Sequence, residues 1–197
     1  MVVTTNARSS LRAPYTKCIK DGRVLITETP RLLLREFSLD DVGALAEILG
    51  NPKVMEFSTN GPCTEDDTRQ FIDWCLDSYR DHGFGQWAII DRLSGAVIGF
   101  CGLSHVELDG AQEIEIGYRL APSAWGQGLA SEAAGAALEY GFSHCGIETI
   151  IAIIATRHVV SAGVAEKVGF RIDTRTQYRG WDVCIYRKRH TVTTGAA

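Results

Sequence analysis

Apolar and polar positions along the chain change their period several times, and each change predicts a new element. Strand-like runs are short, rich in β-branched and aromatic residues, and bounded by glycine, proline or aspartate. On this criterion we predict seven strands, over 24–37, 86–91, 96–103, 113–120, 149–155, 170–177 and 181–187. The run 149–155 is apolar throughout, which is typical of a strand buried on both faces of a sheet.

Four helices are predicted between these strands. N-capping residues and terminal glycines mark the ends of the first two, and the apolar residues of the second recur every three to four positions, as one buried face requires. The face of the third consists of very small side chains, so this helix can approach a sheet closely. We place the helices from Ser38 to about Leu49, from Thr64 to before Gly83, over 130–142 and over 158–168.

The order of these elements predicts an α/β fold, a mixed sheet with helices on its faces. A chain of 197 residues with 45% apolar composition can bury one substantial core but is too short for two ordinary domains. We therefore expect a single domain over 23–190. A flexible extension over 1–22 precedes it, and a disordered tail over 191–197 follows it.

The charge and the cysteines exclude several classes of function. The formal net charge is −4 with both signs interspersed, so no basic stripe is available for nucleic acid. Six cysteines without a C-x-x-C pair or a His/Cys cluster indicate reduced, mostly buried thiols and no metal. The first twenty residues lack the apolar region of a secretory signal, and no stretch approaches the ~18 apolar residues of a membrane span. We expect no membrane partner and a cytoplasmic location.

The clearest chemical signal is WGQGLAS at 125–131, between a predicted strand and a predicted helix. Two glycines and a small alanine let the backbone approach a ligand, and the unpaired N–H groups of the following helix favour an anion. A nucleotide P-loop would need G-x-x-x-x-G-K-[ST], and a dinucleotide fold would need G-x-G-x-x-G, but neither occurs here. The stretch predicts a pyrophosphate cradle, and the alternative is a glycine-rich turn that binds nothing.

Four stretches together resemble the GNAT superfamily of N-acetyltransferases, and in particular its Rim-type branch of ribosomal-protein N-terminal acetyltransferases. They are TPRLLLR at 29–35, EIGYRL at 115–120, WGQGLASEA at 125–133 and SAGVAEKVGF at 161–170. The resemblance implies a mostly antiparallel central sheet of about seven strands with helices on both faces. Its fourth and fifth strands, predicted at 113–120 and 149–155, splay apart.

The same resemblance implies how acetyl-CoA binds, as a co-substrate and without a metal. Pantetheine enters the slot between the splayed strands, where Tyr118 and Leu120 offer backbone groups to it. The N–H of Leu120 points at the thioester carbonyl, where it stabilises an oxyanion. The residues expected to bind the pyrophosphate are Trp125, Gly126, Gln127, Gly128, Leu129, Ala130 and Ser131.

One position departs from the family pattern. Three residues before the serine of the fourth helix the family commonly has asparagine, whereas this chain has His158. A histidine can still form a hydrogen bond to the cofactor, so we keep His158 among the cofactor-binding candidates. It could instead act as a base, or stand at the helix start with no part in catalysis.

An amine must lose its proton before it attacks a thioester, so a base is expected near the slot. Glu113 and Glu115 share one face of their strand. A carboxylate in the middle of a central strand is costly to bury unless it is paired or used, and Glu115 lies nearer the slot. We predict Glu115 as the base, directly or through water. The alternatives are an ion pair of Glu115 with Arg119 or Arg35, and for Glu113 a solvated or paired residue at the rim.

The departing thiolate needs a proton donor, and related enzymes place a serine near the sulfur. This resemblance assigns Ser161 as the donor and as a contact of the cofactor, while binding alone is the alternative role. Many members of the superfamily use a tyrosine on this helix, but 158–168 contains none. Protonation by water therefore also stays open.

The predicted function is transfer of an acetyl group from acetyl-CoA to a primary amine, by direct attack in a ternary complex. The acceptor is a protein N-terminal α-amine or a small-molecule amine, and the protein is a monomer or a homodimer. The alternative is a catalytically silent sensor or scaffold that binds acyl-CoA. The presence of Glu115 and Ser161 favours the enzyme.

Acidic and aromatic residues of the second helix and the strand after it leave the acceptor open. Four aspartates could attract a cationic acceptor or form a solvated helix face, and four aromatic residues could line an acceptor pocket or pack in the core. These residues are Asp66, Asp67, Asp73, Asp77, Trp74, Tyr79, Phe84 and Trp87.

Overall fold

The computed structural model describes residues 18–20 and 22–191, in which one sheet is covered by helices on both faces. The strands are β1 (Cys18–Lys20), β2 (Arg23–Glu28), β3 (Leu32–Arg35), β4 (Gln86–Asp91), β5 (Val97–Leu108), β6 (Ala111–Leu120), β7 (Thr149–Ala155), β8 (Arg171–Tyr178) and β9 (Trp181–Arg189). The α-helices are α1 (Val42–Leu49), α2 (Glu65–His82), α3 (Leu129–Ser143) and α4 (Val159–Lys167). The predicted mixed α/β sheet is confirmed.

The strands of the described sheet lie in the order β1-β2-β3-β4-β5-β6-β7-β9-β8. Every neighbouring pair is antiparallel except β6 and β7, which are parallel and are connected through α3. A parallel pair needs such a crossover because the chain must return to the same end of the sheet. Because β6 and β7 are central strands, the loop between β6 and α3 lies at the end of the strands in the middle of the sheet.

The single strand predicted over 24–37 is wrong, because the structure divides it into β2 and β3. Pro30 lacks a backbone N–H, and the turn around it is closed by a hydrogen bond from Thr29 N to the carbonyl of Leu32, 2.9 Å long. With β1 this division gives nine strands among the described residues instead of about seven. The other six predicted strands differ from the structure by at most five residues at an end.

Helix α3 lies close against one face of the sheet, as its small residues predict. A Cβ added at Gly141 would lie 2.6 Å from a methyl carbon of Leu103 and 3.2 Å from one of Ile150. Ala133, Ala134 and Ala137 are likewise fully buried along this helix. The close packing fixes the N-terminus of α3 relative to β6.

Helix α2 covers the opposite face, where the ring of Phe71 lies 5.0 Å from that of Phe100 on β5. Tyr79, Phe84 and Trp87 are buried in the core, so core packing is the correct reading for these three. Trp74 is 44% exposed. The aromatic residues therefore do not form a shared acceptor pocket.

The expected flexible extension over 1–22 lies outside the described residues except for Gly22 and the short strand β1, which pairs with β2. The tail over 191–197 lies outside them except for Thr191. Among the described cysteines no disulfide forms, and Cys75, Cys101 and Cys184 are buried, as predicted. None of the helices in the described part combines the length and apolarity of a membrane span.

Candidate functional site

The parallel strands β6 and β7 separate almost as soon as they meet. They pair at one position, Glu115 opposite Ile151, whereas β5 pairs with β6 from Gly99 to Leu108. Beyond Glu115 the edge of β6 is open toward β7. The predicted splay between these two strands is confirmed, and it creates a slot in the middle of the sheet.

The register of β5 and β6 decides which backbone groups face this slot. The N–H of Ala121 donates to the carbonyl of Ile98 on the β5 side, with an N–O distance of 2.8 Å. Because N–H and C=O groups alternate in direction along a strand, those of Tyr118 and Leu120 point away from β5 and into the slot. The Leu120 carbonyl accepts a 2.8 Å hydrogen bond from the indole Nε1 of Trp125. The N–H of Leu120 therefore faces the slot beside a carbonyl that is already engaged.

The loop that precedes α3 has the backbone form of an anion cradle. Gly126 and Gly128 have φ values of 73° and 75°, which a side chain would strain. The first intrahelical hydrogen bond runs from Glu132 N to the carbonyl of Gly128, so the N–H groups of the three residues between them have no acceptor within the helix. These N–H groups belong to Leu129, Ala130 and Ser131. With the positive end of the 15-residue helix they favour an anion.

Side chains of this loop stabilise its shape rather than face the cradle. The Gln127 amide donates to the carbonyl of Ser123 across 2.8 Å, and the Leu129 side chain is buried in the core. The indole of Trp125 is turned back toward β6. Of these three predicted positions, Leu129 can offer a ligand only its backbone, while Trp125 and Gln127 are exposed but hydrogen-bonded to the backbone of β6 and of the loop.

Two cations that the sequence analysis did not single out flank the cradle. Arg31 Nη2 and Lys167 Nζ each lie 3.8 Å from the place where a Gly128 side chain would begin. Arg31 also forms a 2.5 Å ion pair with Glu132 and donates to the Gln127 carbonyl across 2.9 Å. The TPR motif at 29–31 marks Arg31 as part of a turn, which is the sequence signal for this residue. No local pattern shows that the Arg31 side chain reaches Glu132.

Glu115 differs sharply from Glu113, two residues earlier on the same face of β6. Glu113 forms an ion pair with Arg187 at 2.9 Å and a second hydrogen bond to it at 3.1 Å, so it is a paired rim residue, as expected. Among the described residues no Lys, Arg or His nitrogen lies within 4 Å of the Glu115 carboxylate, so the ion pair considered for it does not form. Arg35, one of the considered partners, is paired with Asp41 instead.

Burial raises the pKa of Glu115 from 4.5 to about 7, although a hydrogen bond from the Ile153 backbone and the charges of Arg179 and Arg119 oppose the rise. The Ile153 N–H reaches this carboxylate because β7 has already left the β6 ladder there. The side chain is partly exposed on the face covered by α1 and α2. A carboxylate with this pKa can take up a proton near neutral pH.

Ser161 lies on the other face, beside a hydroxyl that the sequence analysis did not consider. The Tyr118 hydroxyl donates to the Ser161 carbonyl at 2.9 Å and lies 3.0 Å from the Ser161 hydroxyl. Since a tyrosine has one O–H proton, the Ser161 hydroxyl is the donor of the second bond. Burial raises the pKa of Tyr118 to about 12, so its proton is retained at neutral pH. A tyrosine is thus present at this site, contributed by β6 rather than by α4.

His158 is the N-cap residue of α4, and its ring stacks on Phe57 with centroids 4.1 Å apart. Phe57 belongs to the loop between α1 and α2, and its ring lies 6.2 Å from that of Trp181. Burial lowers the pKa of His158, and the charge of Arg119 lowers it further. The imidazole is therefore mostly neutral at pH 7. By stacking on Phe57 it connects the loop between α1 and α2 to the start of α4, beside the slot.

No group of three or more His, Cys, Asp or Glu residues in the described ranges could hold a metal ion. Two shallow depressions of about 390 and 450 Å³ open along β8 and β9, and neither contains a predicted site residue. The chemistry-bearing groups converge only at the slot and at the loop before α3.

Comparison with known proteins agrees with this geometry. The model of the acetyltransferase (GNAT) domain matches residues 31–171. The uncharacterized N-acetyltransferase YnaD of Bacillus subtilis is 32% identical over 143 residues, which cover 73% of this chain and 81% of that protein.

Two solved structures share the fold. The GNAT-family acetyltransferase from Bacillus anthracis has a TM-score of 0.70 and 29% identity, with 84% of this chain and 98% of that chain covered. The ribosomal L7/L12 α-N-protein acetyltransferase RimL, solved in complex with coenzyme A, has a TM-score of 0.69 and 19% identity, with 84% and 97% covered. The second similarity is one of fold alone.

Proposed function

Because the chain belongs to the GNAT acetyltransferase family and is an acetyl-CoA-dependent acyltransferase, we propose that it transfers the acetyl group directly to a primary amine. The acceptor is a protein N-terminal α-amine or a small-molecule amine, which attacks within a ternary complex. The observation that carries this proposal is the position of Glu115, whose pKa is about 7, at the point where β6 and β7 part.

The residues around the slot fit coenzyme A. Its pyrophosphate would be held by the backbone N–H groups that begin α3, and two glycines with positive φ leave room for it. Arg31 and Lys167 add positive charge at the same place. When bound, acetyl-CoA supplies the activated thioester carbonyl, toward which the Leu120 N–H would point.

In the proposed reaction Glu115 accepts a proton from the acceptor ammonium, directly or through water. The neutral amine then forms the C–N bond, and the N–H of Leu120 stabilises the negative charge that develops on the carbonyl oxygen. Cleavage of the C–S bond releases the thiolate of coenzyme A, and the attacking nitrogen loses its second proton to water, which leaves a neutral amide. The base lies on the α1–α2 face of the sheet, so we expect the amine to arrive from that face.

Ser161 is the proposed proton donor to the thiolate, and it lies on the opposite face. In the resting arrangement its proton points at Tyr118. Rotation of the serine hydroxyl toward sulfur would leave its oxygen free to accept a hydrogen bond from Tyr118, and water would return the proton that Ser161 gives to the thiolate. Tyr118 is thus a positioning residue that acts through Ser161.

The Rim-type branch stays part of the proposal on the strength of the four sequence stretches. His158 remains a proposed cofactor contact, because its ring stands at the start of α4 beside the slot. Cytoplasmic location and a monomeric or homodimeric state stay predictions from the sequence.

A thiol-release assay tests the proposal, with acetyl-CoA and a panel of N-terminal peptides, amino acids, polyamines and aminoglycosides. Calorimetric titration with acetyl-CoA runs beside it. Release that depends on one class of amine is the expected result. Tight acetyl-CoA binding without release for any amine would overturn the proposal in favour of an acyl-CoA sensor.

A further inference from the structure

Arg119 lies on the same face of β6 as Glu115, by the strand's period of two, and it is partly buried. Its Nη1 donates to the carbonyl of Val54 at 3.1 Å and approaches the sulfur of Met55 at 3.2 Å. Both contacts belong to the loop between α1 and α2. The guanidinium is thus fixed against the wall from which the acceptor is expected to arrive.

No carboxylate in the described part of the chain lies within 4 Å of the Arg119 guanidinium. Other arginines there do have such partners, including Arg31, Arg35 and Arg187. Burial lowers the pKa of Arg119, which reflects the cost of keeping a charge away from water. A partly buried cation without a counter-ion is expensive unless a ligand supplies one.

The described surroundings of Arg119 contain charges of both signs, none of them in contact with its guanidinium. Arg179 is close enough to lower the pKa of Glu115, and the Arg157 guanidinium lies 5.8 Å from the centre of the Trp181 ring. The carboxylates that face this region are Glu115 and Glu56.

The aspartates of α2, which suggested a cationic acceptor, are used elsewhere. Asp67 accepts hydrogen bonds from Thr64, and Asp77 forms an ion pair with Arg80 on the same helix. Asp66 and Asp73 are exposed. Asp67 and Arg119 both act on the pKa of the Cys63 thiol, but none of these four carboxylates forms an ion pair with the Arg119 guanidinium.

We propose that the acceptor amine also carries an anionic group, a carboxylate in the simplest case, and that Arg119 recognises it. The inference rests on the proposed acetyl transfer to an amine. Glu115 takes the proton of the ammonium, while Arg119 pairs with the anion on the same molecule. The rings of Phe57 and Trp181, 6.2 Å apart beside His158, add apolar surface near the start of α4. The acceptor is therefore an amino acid or an acidic peptide N-terminus rather than a polyamine.

The test compares acceptors that differ only in one charge. One pair is 5-aminopentanoate and its amide, and the other is the C-terminally amidated dipeptides Ser-Asp-NH2 and Ser-Asn-NH2, which separates small molecules from peptide N-termini. For each pair kcat/KM is measured with wild type, Arg119→Gln, Arg119→Lys and the control Arg69→Gln, an exposed residue of α2. The ratio of kcat/KM for the two acceptors of a pair, taken within one variant, cancels differences in the amount of folded enzyme. Comparing this ratio between variants cancels the difference in basicity between the two amines.

Wild type and Arg69→Gln should prefer the anionic member of at least one pair by about tenfold or more, as expected for a hydrogen bond to a charged group. Arg119→Gln should lose that preference mainly through KM, and Arg119→Lys should retain part of it. Equal use of acid and amide by wild type, or a preference unchanged in Arg119→Gln, would overturn this inference and leave acetyl transfer standing. Absence of thiol release with every amine would refute the proposed function itself.

Discussion

The hydroxyl of Tyr118 on β6 lies 3.0 Å from the hydroxyl of Ser161 on α4, across the face of the sheet opposite to Glu115. The same tyrosine donates to the Ser161 backbone carbonyl. The phenol donates one hydrogen bond and accepts another, and together they fix both the start of α4 and the orientation of the serine. The proposed acid, Ser161, and the proposed base, Glu115, thus lie on opposite faces of the sheet at the slot.

Tyr118→Phe removes this hydroxyl and keeps the ring. We expect kcat to fall roughly tenfold, less than the ~100-fold or more of a lost general acid because Tyr118 only orients Ser161, while the KM for acetyl-CoA changes less than about twofold. The measurement is steady-state kinetics of Tyr118→Phe, Ser161→Ala and the double variant. If Tyr118 acts through Ser161, the double variant is no slower than Ser161→Ala. Additive losses would show that the two hydroxyls act independently.

Glu115→Gln should lower kcat/KM by about 100-fold or more, because the base is lost while the shape is kept. In wild type kcat/KM should rise with pH up to about 7, as Glu115 loses its proton, and the variant should lack this rise. The pH profile is measured with one acceptor at saturating acetyl-CoA. Glu113→Gln, whose carboxylate is paired with Arg187, is the control and should keep the rise. A retained rise in Glu115→Gln would assign the base to another group.

The same carboxylate should make stability depend on pH. Its pKa is about 7 in the folded protein against an ordinary 4.5, so the folded state binds the proton more tightly. The contribution of Glu115 to the free energy of unfolding should therefore fall as pH rises from 4.5 to 7, and Glu115→Gln should lack this contribution. We expect the Tm of Glu115→Gln relative to wild type to be higher at pH 8 than at pH 5. Glu107→Gln, an exposed change on β5, should show a smaller pH-dependent difference, and equal differences would contradict the raised pKa of Glu115.

Gly128→Val should weaken acetyl-CoA binding by about tenfold or more, measured by calorimetry. The substitution places a branched side chain between Arg31 and Lys167 at a residue with φ 75°, where the cradle needs an open backbone. Gly110→Val is a matched control, since Gly110 has φ 79° in the turn between β5 and β6 and nothing within 4 Å. Equal losses of affinity in both variants would show that strain, not the cradle, is responsible.

Arg31→Met should raise the Kd for acetyl-CoA roughly three- to tenfold and lower the free energy of unfolding by about 1 kcal/mol. Arg31 pairs with Glu132 and holds the Gln127 carbonyl, so its loss releases the loop before α3. Calorimetry and urea denaturation measure the two effects. Arg80→Met removes an exposed arginine of α2 and should change neither by a comparable amount. An unchanged Kd in Arg31→Met would show that the loop keeps its shape without the contacts of Arg31 to Glu132 and Gln127.

Much of the fold and the cradle could be predicted from local patterns. The run 149–155 is a strand with the predicted limits, because continuous β-branched residues leave no polar edge for a helix to expose. The alanine and glycine face of α3 predicted its close packing, which Gly141 and Leu103 show. The division between β2 and β3 was missed because Pro30 was read as the start of a strand pattern instead of a break in it.

The sequence by itself determined the family, the position of the anion cradle and the two carboxylates from which a base could come, since each depends on residue types at short spacing. Tertiary structure decided between those carboxylates. Glu113 meets Arg187 from β9, while Glu115 meets the N–H of Ile153 in the gap between the parting strands. Such partners come from distant parts of the chain, and desolvation depends on everything packed around a group. No local pattern contains that information, and the same reason explains why the Tyr118 hydroxyl and the unpaired charge of Arg119 appeared only in the folded protein.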